Sequence, residues 1–230
     1  MLRNQEKLLT EPGNSIYFAG DLFDHKHLIG NTILADYIER LSDGRYQCYV
    51  PQDFEQPTHR GVDIRNVDLK AVMSCDFGLF NFDGADLDSG TVVEFMMAKF
   101  LDIPSVILRS DFRSSGDGER GNWNLMADYY SRTEVVEVHS LLWYKELRGE
   151  KERVEELIEA YYTRMAAQVI AALDKVGQTA PVENNFPNQT EAVFHWSLQF
   201  PGSGFAELCA AEPDYIGKLL ARKRAKGLLG

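Results

Sequence analysis

Glu94 stands where a carboxylate is costly. Residues 83–101 read DGADLDSGTVVEFMMAKFL and follow an apolar run, Phe77-Gly-Leu-Phe-Asn-Phe82, that reads as a buried strand. On a helix, Glu94 shares its face with Gly90, Thr91, Met97, Ala98 and Leu101, which lie three, four or seven residues away. That face is small and apolar and should turn to a sheet, so a carboxylate on it costs free energy unless something uses it. The position is also near a helix start, where free N–H groups and the macrodipole favour an anion. It lies just past a strand's C-terminal end, where open parallel sheets take their ligands. An ionised carboxylate held in a partly dry pocket can act as a covalent nucleophile. Asp88, six residues earlier, would sit in the loop over the same pocket. The same letters permit a structural use: Thr91-Val-Val-Glu94 matches a capping box with Thr91 as N-cap. A calcium loop is excluded. Counted from Asp83, acids fall at positions one, four and six and a glycine at eight, which is not the EF-hand pattern.

These residues need a scaffold, and the chain supplies alternating strands and helices. Residues 15–20 read as a first buried strand that stops at Gly20, and residues 21–27 as a loop. Asn31 is a candidate N-cap, and Ile33, Leu34, Tyr37, Ile38 and Leu41 form an amphipathic stripe closed by Asp43-Gly44. Residues 46–50 are a second strand ended by Pro51, followed by a polar loop over 51–61. Ile64, Val67, Ala71 and Val72 mark a second helix, with Asp68 close to the stripe. Residues 77–82, 104–108 and 134–138 are three more strands, and residues 89–101 and 150–175 two more helices. Residues 110–122 form a glycine- and serine-rich loop, long enough for a lid or a subunit contact. Strands that alternate with helices imply βαβ units and a parallel sheet.

From about Gly177 the texture changes. A linker-like stretch, TAPVENNFPNQTE, leads to an aromatic cluster over 194–200, a Pro201-Gly-Ser-Gly204 turn and a basic helix over 216–226. The expected division is a catalytic domain over 1–176 and a linker with an accessory helical segment over 177–230. The run Arg222-Lys-Arg-Ala-Lys226 is expected to be a solvated helix C-terminus favoured by the dipole.

The bulk properties narrow the function. A chain of 230 residues, 44% hydrophobic and 26% charged, has the balance of an ordinary globular protein. A net charge of −11 argues against nucleic acid as the main partner. Cys48, Cys75 and Cys209 are far apart, as expected of reduced thiols in a cytoplasmic protein. The first residues show no secretory h-region, and no apolar run is long enough for a bilayer, so no membrane association is expected. His25-x-His27 near Asp21 and Asp24 lacks further ligand spacing, and His59, His139 and His195 are isolated, so no metal is expected. No phosphate-binding or dinucleotide glycine motif and no GxSxG occurs.

Taken together, four stretches resemble the nucleoside 2-deoxyribosyltransferase family. Ile16-Tyr-Phe-Ala-Gly20 with Phe23 resembles its first-strand motif, and Asn66-Val-Asp-Leu69 its Asn-x-Asp-Leu helix. Asp88-x-Gly-x-x-x-Glu94 resembles its catalytic signature, and Asn124-Leu-Met126 the segment that members lend to an adjacent subunit. The motifs run in the right order over about residues 15–175. Met96 departs from the pattern, since members commonly have glycine two residues after the glutamate, and nothing after Gly177 has a counterpart.

The resemblance implies an α/β, flavodoxin-like (Rossmann-like) doubly wound five-stranded parallel sheet with helices on both faces, plus a C-terminal appendage. It implies exchange of the base of a 2′-deoxynucleoside through a deoxyribosyl ester on Glu94, with retention. Asp68 would protonate or orient the departing base, and Tyr17 would donate its phenol to Glu94. Phe23 would pack on the base, Asp88 and Asn124 would bind the sugar 5′-hydroxyl, and Gly20 and Gly90 would border the substrate. Related hydrolases of nucleoside 5′-monophosphates carry serine at the place of Asp88, so free nucleosides are expected here. The partners implied are a deoxynucleoside, a free nucleobase and further copies of the chain, as a dimer or hexamer with shared sites. No cofactor is expected, because the ester carries the activated sugar. The alternatives are an N-glycosidase on the same fold, with water as acceptor, and a nucleoside- or nucleotide-sensing module without turnover.

Overall fold

Side-chain alternation along the first strand sets up two halves of a core. In β1 (Asn14–Ala19), Tyr17 and Ala19 face one way and Ile16 and Phe18 the other, and all four are buried. The structure, a computed structural model, describes residues 8, 12–54, 60–113, 123–186 and 189–230. Most of the polar lead-in, His59 with its neighbours in the 51–61 loop, and residues 114–122 of the long loop lie outside the described residues.

Among the described residues, β1 is joined by β2 (Tyr46–Tyr49), β3 (Phe77–Asn81), β4 (Ser105–Arg109) and β5 (Thr133–Glu137) in one sheet. The strand order is β2-β1-β3-β4-β5, and every pairing is parallel. This is the flavodoxin-like doubly wound order, with its switch point between β1 and β3. Each strand lies within a residue or so of its expected place. Helices α1 (His25–Leu41) and α5 (Val154–Gly177) cover the Ile16 and Phe18 face. Helices α2 (Gly61–Ser74) and α3 (Ser89–Phe100) cover the Tyr17 face. A further helix, α4 (Ser140–Glu150), packs beside α5; Trp143 is its buried residue, so it leaves no apolar stripe in the sequence.

Helix α1 begins earlier than expected. Asp24, not Asn31, is its N-cap: extended at φ −137°, its carboxylate accepts from the N–H groups of Lys26 and His27. Asn31 lies inside the helix, buried, and donates to the carbonyl of Asp21. None of the first turn, His25 to Leu28, is buried, so no apolar periodicity announces it.

Beyond Gly177 the chain forms α6 (Thr190–Ser197), α7 (Phe205–Ala210) and α8 (Tyr215–Ala225). Their Phe194, Phe205, Cys209, Tyr215, Ile216 and Leu219 join the same apolar cluster as Tyr17 and Phe95. The appendage therefore docks on the core of its own chain, over α2 and α3. The basic run is not a solvated helix end. Lys223 is 2% exposed and donates to the Cys75 carbonyl, while Arg222 and Lys226 converge on Asp76. Asp76 is fully buried and also accepts from the Ser15 N–H at 2.9 Å and its hydroxyl at 3.0 Å. Long side chains carry these cations past the helix surface to an acid at the strands' N-terminal edge, which helix periodicity does not encode. Asp76→Ala would leave two cations short of their counter-ion, and a loss of about 3 kcal/mol is expected in urea unfolding. An unchanged midpoint would mean the cluster does not hold the appendage in place.

No described helix is long and apolar enough to cross a membrane. All three cysteines are free thiols and buried.

Candidate active site

The position of Glu94 is set by its neighbour. Phe95 is wholly buried and meets Phe80 (5.2 Å between centroids), Phe82 (5.5 Å) and Tyr130 (5.5 Å), each edge to face. Pairs of this kind contribute about 1 kcal/mol each beyond burial. The Phe80 ring lies over Gly78, where a Cβ would come within 2.3 Å of it, so glycine at that point of β3 is what admits the ring. With Phe95 seated on β3, one residue back around the helix turns Glu94 toward β1. There Tyr17, fully buried, donates its phenol to Glu94 Oε1 at 2.7 Å.

The capping-box expectation fails here. Asp88, not Thr91, is the N-cap of α3: its Oδ2 accepts from the Thr91 N–H at 2.7 Å and the Thr91 hydroxyl at 2.9 Å. Glu94 lies in the second turn, beyond reach of the free N–H groups, and its carboxylate is engaged by Tyr17.

Asp68, on the inner side of α2, completes the group. Its Oδ1 is buried and has no hydrogen-bond partner. Burial pushes its carboxyl up to about 7. Burial also pushes Glu94 up to about 8; the Tyr17 hydroxyl pulls it back, and the charges of Asp68 and Asp88 raise it further. The Tyr17 phenol is itself held well above its ordinary range, by burial first and then by Glu94 and Asp68. Tyr17 therefore stays a neutral donor, and the two acids retain protons near neutrality that exposed carboxyls have lost. One acid ionised and one protonated is the pairing that attack on a sugar carbon and protonation of its leaving group require.

The remaining predicted residues are placed as follows. Gly20 follows β1, where an added Cβ would press on Asn81 Cβ at 3.0 Å. Gly90 is exposed, and a Cβ there would stand 3.1 Å from Asp88 Oδ2. Phe23 is 78% exposed. Asn124 caps a short turn, Leu125–Ala127, by accepting from the Met126 N–H at 2.9 Å. It is not beside Glu94 in this chain. Asn124 and Met126 instead border a cleft of about 890 Å³ with Asp86, Leu87, Ser89, Val93, Met96 and Trp123. That cleft opens on the flank of α3 turned away from Glu94. Met96 points there too, so the family's missing glycine does not alter the surroundings of the carboxylate.

His27 lies 3.1 Å from Asp24 and 3.9 Å from Asp21. Among the described residues, no group of three or more His, Cys, Asp or Glu is placed to hold a metal.

The structure brings together Tyr17, Asp68 and Glu94, which the sequence singles out, and adds what positions them. Phe95 and Gly78 read as ordinary core, and no spacing rule links them to Glu94. Asn66, a motif residue, is buried and donates to the Ser203 carbonyl at 2.9 Å, a partner 137 residues away.

Residues 16–126 match the model of the family described as nucleoside 2-deoxyribosyltransferase. Among solved structures, the chain is similar to a conserved protein from Enterococcus faecalis V583, at 24% identity over 60% of this chain and 99% of that one, with a TM-score of 0.46. It is similar to a 2-desoxiribosyltransferase from Leishmania mexicana at 19% identity, over 50% of this chain and 86% of that one, with a TM-score of 0.40. It is also similar to a 2-deoxyribosyltransferase from Bacillus psychrosaccharolyticus at 18% identity, over 62% and 95%, with a TM-score of 0.39. No curated protein matches the chain.

Proposed function

We propose that this chain, whose residues 16–126 match the model of the nucleoside 2-deoxyribosyltransferase family, moves 2-deoxyribose from one nucleobase to another. The observation that carries the reading is the partly buried Tyr17–Glu94 hydrogen bond at the C-terminal side of the sheet, with Asp68 alongside. Glu94, ionised, attacks C1′ from the face opposite the base. The C1′–N bond breaks with its electron pair going to the base, and the Asp68 carboxyl supplies the proton that neutralises it. The product is an ester between C1′ and Glu94. A second base attacks C1′ from the vacated side, returns a proton to Asp68 and restores the Glu94 carboxylate. Two inversions give overall retention. Tyr17 holds the carboxylate at one oxygen, leaving the other for C1′. No cofactor enters this sequence.

By the same reading Phe23 covers the base, and Asp88 with Asn124 receives the 5′-hydroxyl. Asn124 and Met126 are exposed, which suits their lending to the pocket of a second copy, so the active form is proposed as a homo-oligomer. The test is incubation of 2′-deoxyguanosine with and without adenine. Deoxyadenosine formed only with adenine is the expected result. Free deoxyribose at one rate in both mixtures would make the chain a hydrolase, and binding without turnover a sensing module.

Asp88 bears on substrate choice. A 5′-phosphate would bring about −2 of charge against its carboxylate, so free nucleosides are the proposed substrates. Serine also serves as an N-cap, so Asp88→Ser removes the charge without uncapping α3. The preference for nucleoside over 5′-monophosphate is expected to shrink by roughly tenfold or more in competition assays. A preference left intact would sink this assignment of Asp88.

A further inference from the structure

Helix α2 is held from outside by chain that lies beyond the family match. Near its start, Arg65 donates to the Pro201 carbonyl at 3.0 Å and grips the Asn66 side-chain oxygen at 2.7 Å. Asn66 in turn donates to the Ser203 carbonyl at 2.9 Å. At the helix end, the hydroxyls of Ser74 and Tyr215 share a hydrogen bond of 2.7 Å, and Arg222 donates to the Ser74 carbonyl at 2.9 Å. Asp68 lies between the two tie points, on the inner side, and its buried Oδ1 has no partner of its own. A carboxyl that no hydrogen bond orients goes where its helix backbone takes it, and here a helix seated on the core by Val67, Leu69 and Val72 is also tied at both ends by the appendage.

We propose that the appendage, residues 201–222, is a strut that places Asp68, with Asn66 (through Ser203) and Tyr215 (through Ser74) as positioning residues for protonation of the departing base. This rests on the transfer reading above. The proposal gives a catalytic consequence to a segment that the family's motifs do not include.

Asn66→Ala and Tyr215→Phe separate placement of Asp68 from general damage. Each is assayed in the full chain by the single-turnover release of base from two donors, ahead of any acceptor, so that the return of a proton to Asp68 by an incoming base does not enter. 2′-Deoxyguanosine needs a proton on its departing base, whereas 7-methyl-2′-deoxyguanosine carries a positive charge already and leaves without one. Release of guanine from 2′-deoxyguanosine is expected to slow by about tenfold or more, while release from the methylated donor stays within about twofold. Equal losses on both donors, or none on either, would overturn the strut. A second measurement does not depend on turnover. The Asp68 carboxyl titration, followed by ¹³C NMR, is expected to move toward the ordinary aspartate range in Asn66→Ala, as the freed helix lets water in. If the unaltered protein exchanges no bases, the transfer reading fails and the titration alone decides: an unmoved titration overturns the strut, a moved one sustains it.

Discussion

Replacing Glu94 by glutamine abolishes base exchange, with an expected loss in kcat of about 10⁴-fold or more. The amide keeps the size of the acid and an oxygen to accept from Tyr17, so the pocket keeps its shape. It cannot form the ester, because a neutral amide oxygen is a poor nucleophile toward C1′. Mass spectrometry of the unaltered protein trapped with a 2-fluoro-2-deoxynucleoside should find a sugar on Glu94, and the variant should carry none. The loss is separable from unfolding by its pH dependence. The folded values of Glu94 and Asp68 lie above their ordinary values, chiefly because burial disfavours the charge. For groups raised in this way, the stabilising contribution is complete at acid pH, below the unfolded values. It is lost as pH rises through about 7 and about 8, because the folded state must then hold charges it solvates poorly. Glu94→Gln removes one of those charges. Its melting temperature should match the unaltered protein at acid pH and exceed it at alkaline pH. A variant that melts lower at both would mean Glu94 serves structure, and a variant that still exchanges bases would remove it from the chemistry.

The sheet was legible because its strands are buried on both faces and read as apolar runs between turn residues: residues 77–82 predict β3 and residues 46–50 predict β2. Glu94 was legible for the converse reason, as a charge on a face that should have none. The start of α1 was not, because its first turn faces water and Asp24 caps it by a local geometry that many loop aspartates share. The capping box misled because Thr91 and Glu94 satisfy its spacing, while the choice between Asp88 and Thr91 as cap turns on one backbone conformation. The basic run misled for a longer-range reason. Arg222 and Lys226 find Asp76 almost 150 residues upstream, and nothing local to either segment records the pairing. Asp68 was legible only through the motif around it. On periodicity it sits beside the apolar stripe, and its closeness to Glu94 and Tyr17 depends on two other elements arriving beside it.

That dependence makes Asp68→Asn the second large effect. General acid assistance to a leaving group is worth about 10²–10⁴-fold, so turnover of 2′-deoxyguanosine should fall within that range. In the base-release step alone, the methylated donor, which needs no proton to depart, should lose far less. The pH profile carries the sharper test. Transfer requires Glu94 without its proton and Asp68 with one. Glu94 rises to about 8 and Asp68 to about 7, so the required form is the scarcer of the two singly protonated arrangements. The profile of kcat/KM should then be a narrow bell with its maximum between those values. Its acid limb reflects loss of the nucleophile and its alkaline limb loss of the acid. An asparagine cannot lose a proton, so the alkaline limb should disappear in Asp68→Asn. The acid limb should move to higher pH: in the unaltered protein it marks the first proton leaving the pair, near 7, whereas in the variant it reports Glu94 alone, which gives up its proton later, though below about 8 because the Asp68 charge that helps hold it up is gone. A variant that kept both limbs in place would show that the alkaline limb belongs to another group, and the proton for the departing base would then have to come from elsewhere in the pocket.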